Sequence, residues 1–412
     1  MRGPERVARP PFTDRRILLG VTGGIAGFKS IALARELTLA GAAVDVVLTA
    51  GAREFVQPLS FEALTGRAVL TDLYAPGDPL LHIRLARESH LVLVAPATAN
   101  FIARAAAGFA DDLLTCAVLA TKAPVVICPA MNDDMYSHPQ TQANIRRLHE
   151  LGYGIAGPAD GLLAWGEGSG PGRMIEPDTI LHYAARALTG ETALTGRSIL
   201  VTAGGTREAI DPVRFIGNRS SGRMGFAIAG AAFRMGARVT LVSAPTALDA
   251  PAGVTLLPVE SAAEMAEAVE RILPDADVLV MAAAVADFTP AEPAAQKIKK
   301  GLGEVPQLPL EATRDILAST IDVRRRDAII VGFALETESP IENGARKLKE
   351  KKLDLLVVND AGEPGAGFEV ETNRVTLLDA DGGREDLPLL SKDEVANRIL
   401  QRVAALTEPV GS

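Results

Sequence analysis

The sequence predicts an α/β protein with two doubly wound, parallel-sheet domains. Short apolar runs typical of buried strands alternate with helical periodicity along most of the 412 residues. A strand followed by a glycine turn occurs twice, with Gly23 and Gly24 after one run and Gly204 and Gly205 after another. We expect the backbone amides of both glycine pairs to contact a phosphate, because no Cβ atom stands in the way. One hydrophobic core rarely serves a chain this long, so two domains of about 200 residues each are expected.

In the first half, strand-like runs lie at 17–22, 43–49, 91–95 and 125–128, with helices between them. A Gly/Pro-rich stretch at 157–174 interrupts the alternation, and its length and composition predict a mobile flap. A helix over 177–188 closes the unit. We therefore expect a disordered tail at 1–14 and a first domain at 15–190.

In the second half, the alternation restarts with strand-like runs at 199–203, 239–242, 278–283, 328–332 and 355–358. The segment at 305–313 and a C-terminal helix from Ser391 are predicted to be structural. These elements define a second domain at 191–412.

Composition limits the classes of function. Hydrophobic residues make up 48% and the formal net charge is −9, which argues against binding to nucleic acid or to an anionic membrane. The first 14 residues lack the apolar stretch of a signal peptide, and no apolar run is long enough to span a bilayer. Cys116 and Cys128 lack metal-ligand spacing. A cytoplasmic protein with reduced thiols and no protein metal site is expected.

Three segments of the first half contain candidate ligand contacts. The VTGGIAGFKS turn starting at Val21 is a weak signal, because such turns are common in α/β proteins. APATAN at 95–100 and PAMNDDMY at 129–136 are more specific, since both follow predicted strands at the edge where open sheets bind ligands. A dinucleotide oxidoreductase is disfavoured, because the turn is not G-x-G-x-x-G and no acidic ribose ligand follows the second strand.

These segments resemble the flavin-binding cysteine decarboxylases. The whole chain resembles the bacterial bifunctional phosphopantothenoylcysteine decarboxylases/phosphopantothenate–cysteine ligases of coenzyme A biosynthesis. The resemblance implies two Rossmann-like or flavodoxin-like domains, an FMN-dependent decarboxylase at 15–190 and a CTP-dependent ligase at 191–412. The implied FMN contacts are Gly23, Gly24, Ile25, Thr49, Ala95, Pro96, Ala97, Thr98 and Asn100.

The resemblance also assigns catalytic residues to the first domain. His82 would abstract a proton, although a lone histidine between apolar neighbours is more often a packing or capping residue. Asn132 would hold the substrate carboxylate, although it could equally be a helix cap. Many family members have a cysteine proton donor in the flap, which this flap lacks. We expect Ser169, Glu167 or an ordered water to replace it.

In the second domain, the stretch 202–225 is too rich in Gly, Ser, Asn and Arg to be core. The resemblance assigns Asn218 to the acyl intermediate and Lys297 to catalysis, although lysine clusters are more often solvated surfaces. Lys347 and Lys351 are four residues apart, so an anion between them would relieve their repulsion. The implied nucleotide contacts are Met281, Ala282, Ala283, Asp287, Lys297, Asp315, Ile316, Phe333, Lys347 and Lys351.

The predicted function is therefore a bifunctional enzyme with FMN as cofactor. Its substrates would be 4′-phosphopantothenate, L-cysteine and CTP, and Mg²⁺ would arrive with the triphosphate. The alternative is a flavin-binding regulatory protein with the same fold and little or no decarboxylase turnover. The family also implies a homo-oligomer, a dodecamer in which decarboxylase domains form trimers and ligase domains form dimers.

Overall fold

A computed structural model describes residues 11–299, 307–336, 340–360 and 372–407. It divides the chain into two compact units, Met1–Gly190 and Glu191–Ser412. Within the described residues, no helix is long and apolar enough to cross a membrane. The same residues contain no group of three or more His, Cys, Asp or Glu side chains that could hold a metal ion.

The first unit is a five-stranded parallel sheet with the strand order β2-β1-β3-β4-β5, flanked by helices and followed by a two-stranded ribbon of β6 and β7. Its elements are β1 Arg16–Val21, α1 Gly27–Leu39, β2 Ala43–Leu48, α2 Pro58–Thr65, α3 Leu81–Glu88, β3 Leu91–Ala97, α4 Ala99–Ala107, α5 Leu113–Ala120, β4 Val125–Pro129, α6 Asp133–Ser137, α7 Pro139–Glu150, β5 Gly154–Ile155, β6 Ala159–Leu162, β7 Ser169–Arg173 and α8 Pro177–Thr189.

The continuous apolar sequence of β1 reflects burial on both faces of the sheet. Ile17 and Leu19 join the hydrophobic cluster that includes α1 and α8, whereas Leu18 joins the cluster that includes α4 and α5. All three side chains are fully buried. Because both faces are covered, the strand shows no polar alternation, as expected for a parallel sheet.

The predicted tail is partly wrong. Residues 11–14 form a turn, and Phe12 is only 5% exposed because it packs into the hydrophobic cluster of β1 and α1. The rest of the predicted tail, at 1–10, lies outside the described residues. The sequence analysis did not predict the burial of Phe12, because a single aromatic residue after two prolines shows no periodicity.

The second unit has the strand order β12-β11-β8-β13-β16-β17-β19-β20. Its elements are β8 Ser198–Ala203, β9 Arg207–Ala209, β10 Phe215–Gly217, α9 Arg223–Arg234, β11 Arg238–Ser243, β12 Thr255–Pro258, α10 Ala262–Ile272, β13 Val278–Met281, β14 Phe288–Pro290, β15 Leu310–Ala312, α11 Ile316–Ser319, β16 Ile329–Glu336, α12 Pro340–Glu350, β17 Leu355–Asp360, β18 Thr372–Asn373, β19 Val375–Asp379, β20 Arg384–Asp386, β21 Leu390–Ser391 and α13 Lys392–Thr407.

The strands from β12 to β17 are parallel, and β19 and β20 extend this sheet in the antiparallel sense. The sequence analysis did not predict these last two strands, because they are short and β20 is fully exposed. Strand β13 ends at Met281, two residues before the predicted end. Ala283 N–H bonds to the Thr202 hydroxyl, 3.1 Å away, instead of to a neighbouring strand.

Two candidate ligand cavities

The first cavity lies at the carboxyl ends of β1 and β3, where the connections from the sheet run in opposite directions. Open α/β sheets bind ligands at such a switch point. The cavity has a volume of about 1090 Å³. Of the predicted FMN contacts, six line it: Gly23, Gly24, Ile25, Thr49, Thr98 and Asn100.

The other three predicted FMN contacts, Ala95, Pro96 and Ala97, are buried in β3 and do not line the cavity. The carbonyl groups of this segment instead accept hydrogen bonds that hold the wall of the cavity together. The Ala95 carbonyl accepts a hydrogen bond from the Ser30 hydroxyl at 2.6 Å, and the Pro96 carbonyl accepts one from Thr22 Oγ1 at 2.8 Å.

A close backbone contact leaves no room for a side chain at Gly23. A Cβ atom there would lie 2.8–3.0 Å from backbone atoms of Gly51, whereas a Cβ on Gly24 would meet only the Thr98 methyl group at 3.6 Å. The glycine pair therefore has two roles. Gly23 lets two loops of the cavity wall touch, and Gly24 leaves open space within the cavity.

Asn132 lines the first cavity and is also the N-cap of α6. Its Oδ1 atom accepts hydrogen bonds from the N–H groups of Asp134 and Met135, at 3.0 and 3.4 Å. An asparagine amide has separate acceptor and donor ends, and the capping contact uses only the acceptor. The Nδ2 donor is left for a ligand, so the cap and the ligand contact are compatible.

The predicted flap forms the ribbon of β6 and β7, whose backbone contacts the loop that carries Asn132. Met131 N–H donates to the Gly172 carbonyl at 3.0 Å. Glu167 lines the cavity, whereas Ser169 does not. The Trp165 side chain at the flap tip is fully exposed. The structure therefore brings one of the two candidate proton donors to the cavity.

His82 is half-buried on α3 and does not line the first cavity. Its Nδ1 atom is buried and has no hydrogen-bond partner among the described residues. A buried polar atom without a partner is costly, and such an atom in a native protein requires an explanation. The geometry of one chain does not supply it.

The sequence analysis missed several charged residues at the first cavity: Lys29, Arg104, Asp111 and Asp112. Lys29 is 9% exposed, and its Nζ donates to the Met174 carbonyl at 2.9 Å and to Glu176 at 2.8 Å. The hydrogen bond from Lys29 lowers the pKa of Glu176. Lys29 thus holds the chain just after the flap.

The second cavity lies at the carboxyl ends of β13, β16 and β17, and its volume is about 640 Å³. The strand order of β12 to β17 places the switch point between β8 and β13, where ligands bind in Rossmann-type sheets. Eight predicted residues line the cavity: Asn218, Met281, Ala282, Ala283, Asp287, Asp315, Ile316 and Phe333. The N-terminus of α9 also lies at this cavity.

The second glycine pair does not line its cavity. A Cβ on Gly204 would lie 2.8 Å from the Ala244 carbonyl oxygen, and one on Gly205 would lie 2.6 Å from the Asn218 carbonyl oxygen. This position corrects the expectation that the pair contacts a phosphate. Gly205 instead lets the backbone of Asn218 approach β8, and the Asn218 amide donates to the Val285 carbonyl at 2.9 Å.

The three predicted lysines, Lys297, Lys347 and Lys351, do not line the second cavity. Lys351 forms an ion pair with Asp315, which does line it. Burial would raise the pKa of Asp315, but the hydrogen bonds from Lys351 and from the Ala318 N–H outweigh that effect and lower it. Lys351 therefore acts on the cavity through Asp315.

The polar residues that the sequence analysis missed at the second cavity include Asn359, Asn373 and Lys392. Asn359 follows the apolar run of β17, so the same edge-of-sheet argument could have identified it. Asn373 and Lys392 are buried and come from the later β18 and α13. No local sequence pattern marks them.

Comparisons with known proteins match both units. The family described as "Flavoprotein" matches residues 9–189, and "DNA/pantothenate metabolism flavoprotein C-terminal domain" matches residues 194–406. The protein named "Coenzyme A biosynthesis bifunctional protein CoaBC" from Bacillus subtilis (strain 168) is 45% identical over 405 residues, which cover 97% of this chain and 99% of the relative.

The protein of the same name from Mycobacterium tuberculosis (strain H37Rv) is 45% identical over 403 residues, covering 94% of this chain and 96% of the relative. A crystal structure of the C-terminal domain of a CoaBC protein is 42% identical. It covers 52% of this chain and 98% of that domain, with a TM-score of 0.45.

Proposed function

The chain belongs to the family of coenzyme A biosynthesis bifunctional proteins, and from this premise we propose that it makes 4′-phosphopantetheine in two steps. The second unit ligates 4′-phosphopantothenate to L-cysteine at the expense of CTP. The first unit then decarboxylates 4′-phosphopantothenoylcysteine with FMN. The observation that carries the proposal is the 45% identity over 97% of the chain, which includes both units. A regulatory flavoprotein is disfavoured by the same match.

The first cavity suits a flavin. Ile25 and Phe28 line it, and their side chains are 62% and 59% exposed, so a planar apolar ring could cover them. Thr49 and Thr98 add hydroxyl groups next to the open space at Gly24. We propose that these five residues hold FMN.

For the decarboxylation, FMN supplies the electron sink that makes loss of CO₂ possible. The remaining roles belong to the protein. The Nδ2 donor of Asn132 binds the substrate carboxylate and orients it, since the capping contact of Oδ1 fixes the amide. Glu167, the flap side chain that lines the cavity, delivers the proton that completes the product.

His82 requires a second copy of the chain. It lies outside the cavity of its own unit, so its own chain does not bring it to that site. We propose that the homo-oligomer brings His82 to the flavin cavity of a neighbouring copy. Chains carrying His82→Asn and chains carrying Asn132→Ala, each inactive alone, should then regain decarboxylase activity when mixed in one oligomer. A mixed oligomer as inactive as either parent would overturn this.

For the ligation, we propose that CTP occupies the second cavity. Asp287 would contact the nucleoside, and the N-terminus of α9 offers N–H groups to a phosphate. Asn218 would act on the acyl intermediate. Lys297 and Mg²⁺ would stabilise the pyrophosphate that leaves, with the ion arriving on the triphosphate.

One experiment tests both activities in the same sample. The purified protein should be yellow, should form CMP from CTP only when 4′-phosphopantothenate and cysteine are both present, and should then release CO₂. ATP in place of CTP tests the nucleotide preference. A colourless protein without CTP turnover would refute the proposal. A yellow protein that ligates but releases no CO₂ would instead support the regulatory alternative for the first unit.

A further inference from the structure

Asp211 is a buried carboxylate in the turn between β9 and β10. The residue is 3% exposed, although it carries a charge and lies between two short strands. Its Oδ1 atom accepts hydrogen bonds from the N–H groups of Val213 and Arg214, both at 2.9 Å. These two contacts close the turn, and they are common for aspartate in such a position.

The other oxygen of Asp211 makes contacts that the turn does not need. Its Oδ2 atom pairs with the Arg214 guanidinium and also accepts the Ile298 N–H at 3.1 Å. The Arg214 Nη2 atom donates to the Ile298 carbonyl at 2.9 Å. The two backbone polar groups of Ile298, 87 residues away in sequence from Asp211, are therefore held by one ion pair.

The segment that contains Ile298 also carries Lys297. Residues 291–299 form no helix or strand, so no regular hydrogen-bond ladder fixes them. A further backbone contact ties them to the same turn, since Ala294 N–H donates to the Ile210 carbonyl at 2.9 Å. The position of Lys297 therefore depends on the turn at Asp211.

The same hairpin also positions Asn218. Residue 218 directly follows β10, and its side chain lines the second cavity. A Cβ on Gly217 would lie 2.6 Å from the Thr206 carbonyl oxygen, so this end of β10 packs tightly against the residue that precedes β9. Asn218 lies four positions after Arg214, which corresponds to about 13 Å of extended chain.

We propose that Asp211 is a positioning residue of the ligase reaction, which acts through Arg214 to fix the backbone of Ile298 and so sets the distance between Lys297 and Asn218. The β9–β10 hairpin is then a spacer between the residue that acts on the acyl group and the residue that acts on the phosphates. This inference rests on the proposed roles of those two residues.

Asp211→Asn is the direct test. An asparagine can keep Oδ1 as the acceptor of the turn, but its Nδ2 cannot accept from Arg214 or from Ile298. A shift of about 1 Å in a catalytic group can cost about 100-fold in rate. We expect the kcat for CMP formation to fall by about that factor, with little change in KM for CTP. CO₂ release from added 4′-phosphopantothenoylcysteine should be unchanged, because the first unit is untouched.

Hydrogen exchange separates positioning from general loss of structure. In Asp211→Asn, the Ile298 amide should exchange faster, whereas the amides of β8 should stay protected. Asp327→Asn is the matched control, since Asp327 also pairs with an arginine, Arg325, but is exposed at the start of β16. That variant should keep both the rate and the exchange pattern.

Each outcome has a distinct meaning. Unchanged ligase turnover in Asp211→Asn despite faster Ile298 exchange would overturn the inference, as would lost turnover with unchanged exchange. If the variant does not fold, Arg214→Lys replaces it, since lysine keeps the charge but not the planar geometry for two acceptors. It should lose about 10-fold in kcat, and full turnover would refute the inference. Full activity of Lys297→Gln would refute the proposed role of Lys297 instead.

Discussion

Gly172→Ala is the sharpest test of how the flap positions the decarboxylation site. Gly172 has a φ of +143°, and a Cβ atom there would lie 2.3 Å from the carbonyl oxygen of Met131. That distance is about 1 Å short of an ordinary contact, and the nearby atom is backbone, which cannot rotate away. Overpacking of this kind costs about 1–3 kcal/mol. Holding an alanine at this positive φ adds about 1–3 kcal/mol.

The strain would act on the loop that carries Asn132. Met131 N–H donates to the Gly172 carbonyl, so a shift of about 1 Å in β7 or in the loop at Met131 would move Asn132, the next residue. A misplacement of this size costs about 100-fold in rate. We expect CO₂ release from 4′-phosphopantothenoylcysteine to fall by about that factor, while CMP formation by the second unit stays constant and serves as the measure of active protein.

Gly166→Ala is the matched control. Gly166 lies in the same flap with a φ of +88°, but no atom lies within 4 Å of its added Cβ. It therefore carries the conformational cost without the collision, and its rate should fall much less. Equal rates for the two variants would refute the reasoning, because the contact with Met131 would then have no effect on the site.

Two further predictions concern charge and reactivity. Lys29→Met removes the hydrogen bond that lowers the pKa of Glu176. Because the pKa of Glu176 is lowered in the folded state, its charged carboxylate stabilises the fold above the unfolded-state pKa of about 4.5, and this stabilisation is lost as the pH falls. Flavin release on acidification below about pH 4.5 should therefore become less pH-dependent in this variant. Burial raises the pKa of the Cys128 thiol strongly and that of Cys116 less. In native protein, iodoacetamide should modify Cys116 first and Cys128 only after unfolding, as followed by mass spectrometry.

The sequence predicted the sheets well where strands are buried on both faces. The predicted run at 91–95 became β3, whose seven residues are all buried, because burial on both faces leaves a continuous apolar signal. The edge strand β20 has no buried residue and was missed. Phe12 was missed because one buried aromatic residue makes no pattern.

The sites were predictable to the extent that they lie at the carboxyl ends of strands. Asn132 and Asp287 both line their cavities, because that edge of a parallel sheet collects ligand contacts. Lys29 and Lys392 come from helices, and sequence spacing alone could not place them there. Glycine pairs were ambiguous, since Gly24 borders open space whereas Gly205 meets the Asn218 carbonyl oxygen.

The two ends of the Asn132 amide separate stability from chemistry at one position. Asparagine and aspartate cap helices about equally well, so Asn132→Asp would keep the acceptor that begins α6. It would also replace the donor that we propose for the substrate carboxylate with a negative charge. A single nucleotide change could thus silence decarboxylation without a folding penalty. In a diverging lineage, the flavin unit could lose turnover while it remained as a stable scaffold for the ligase.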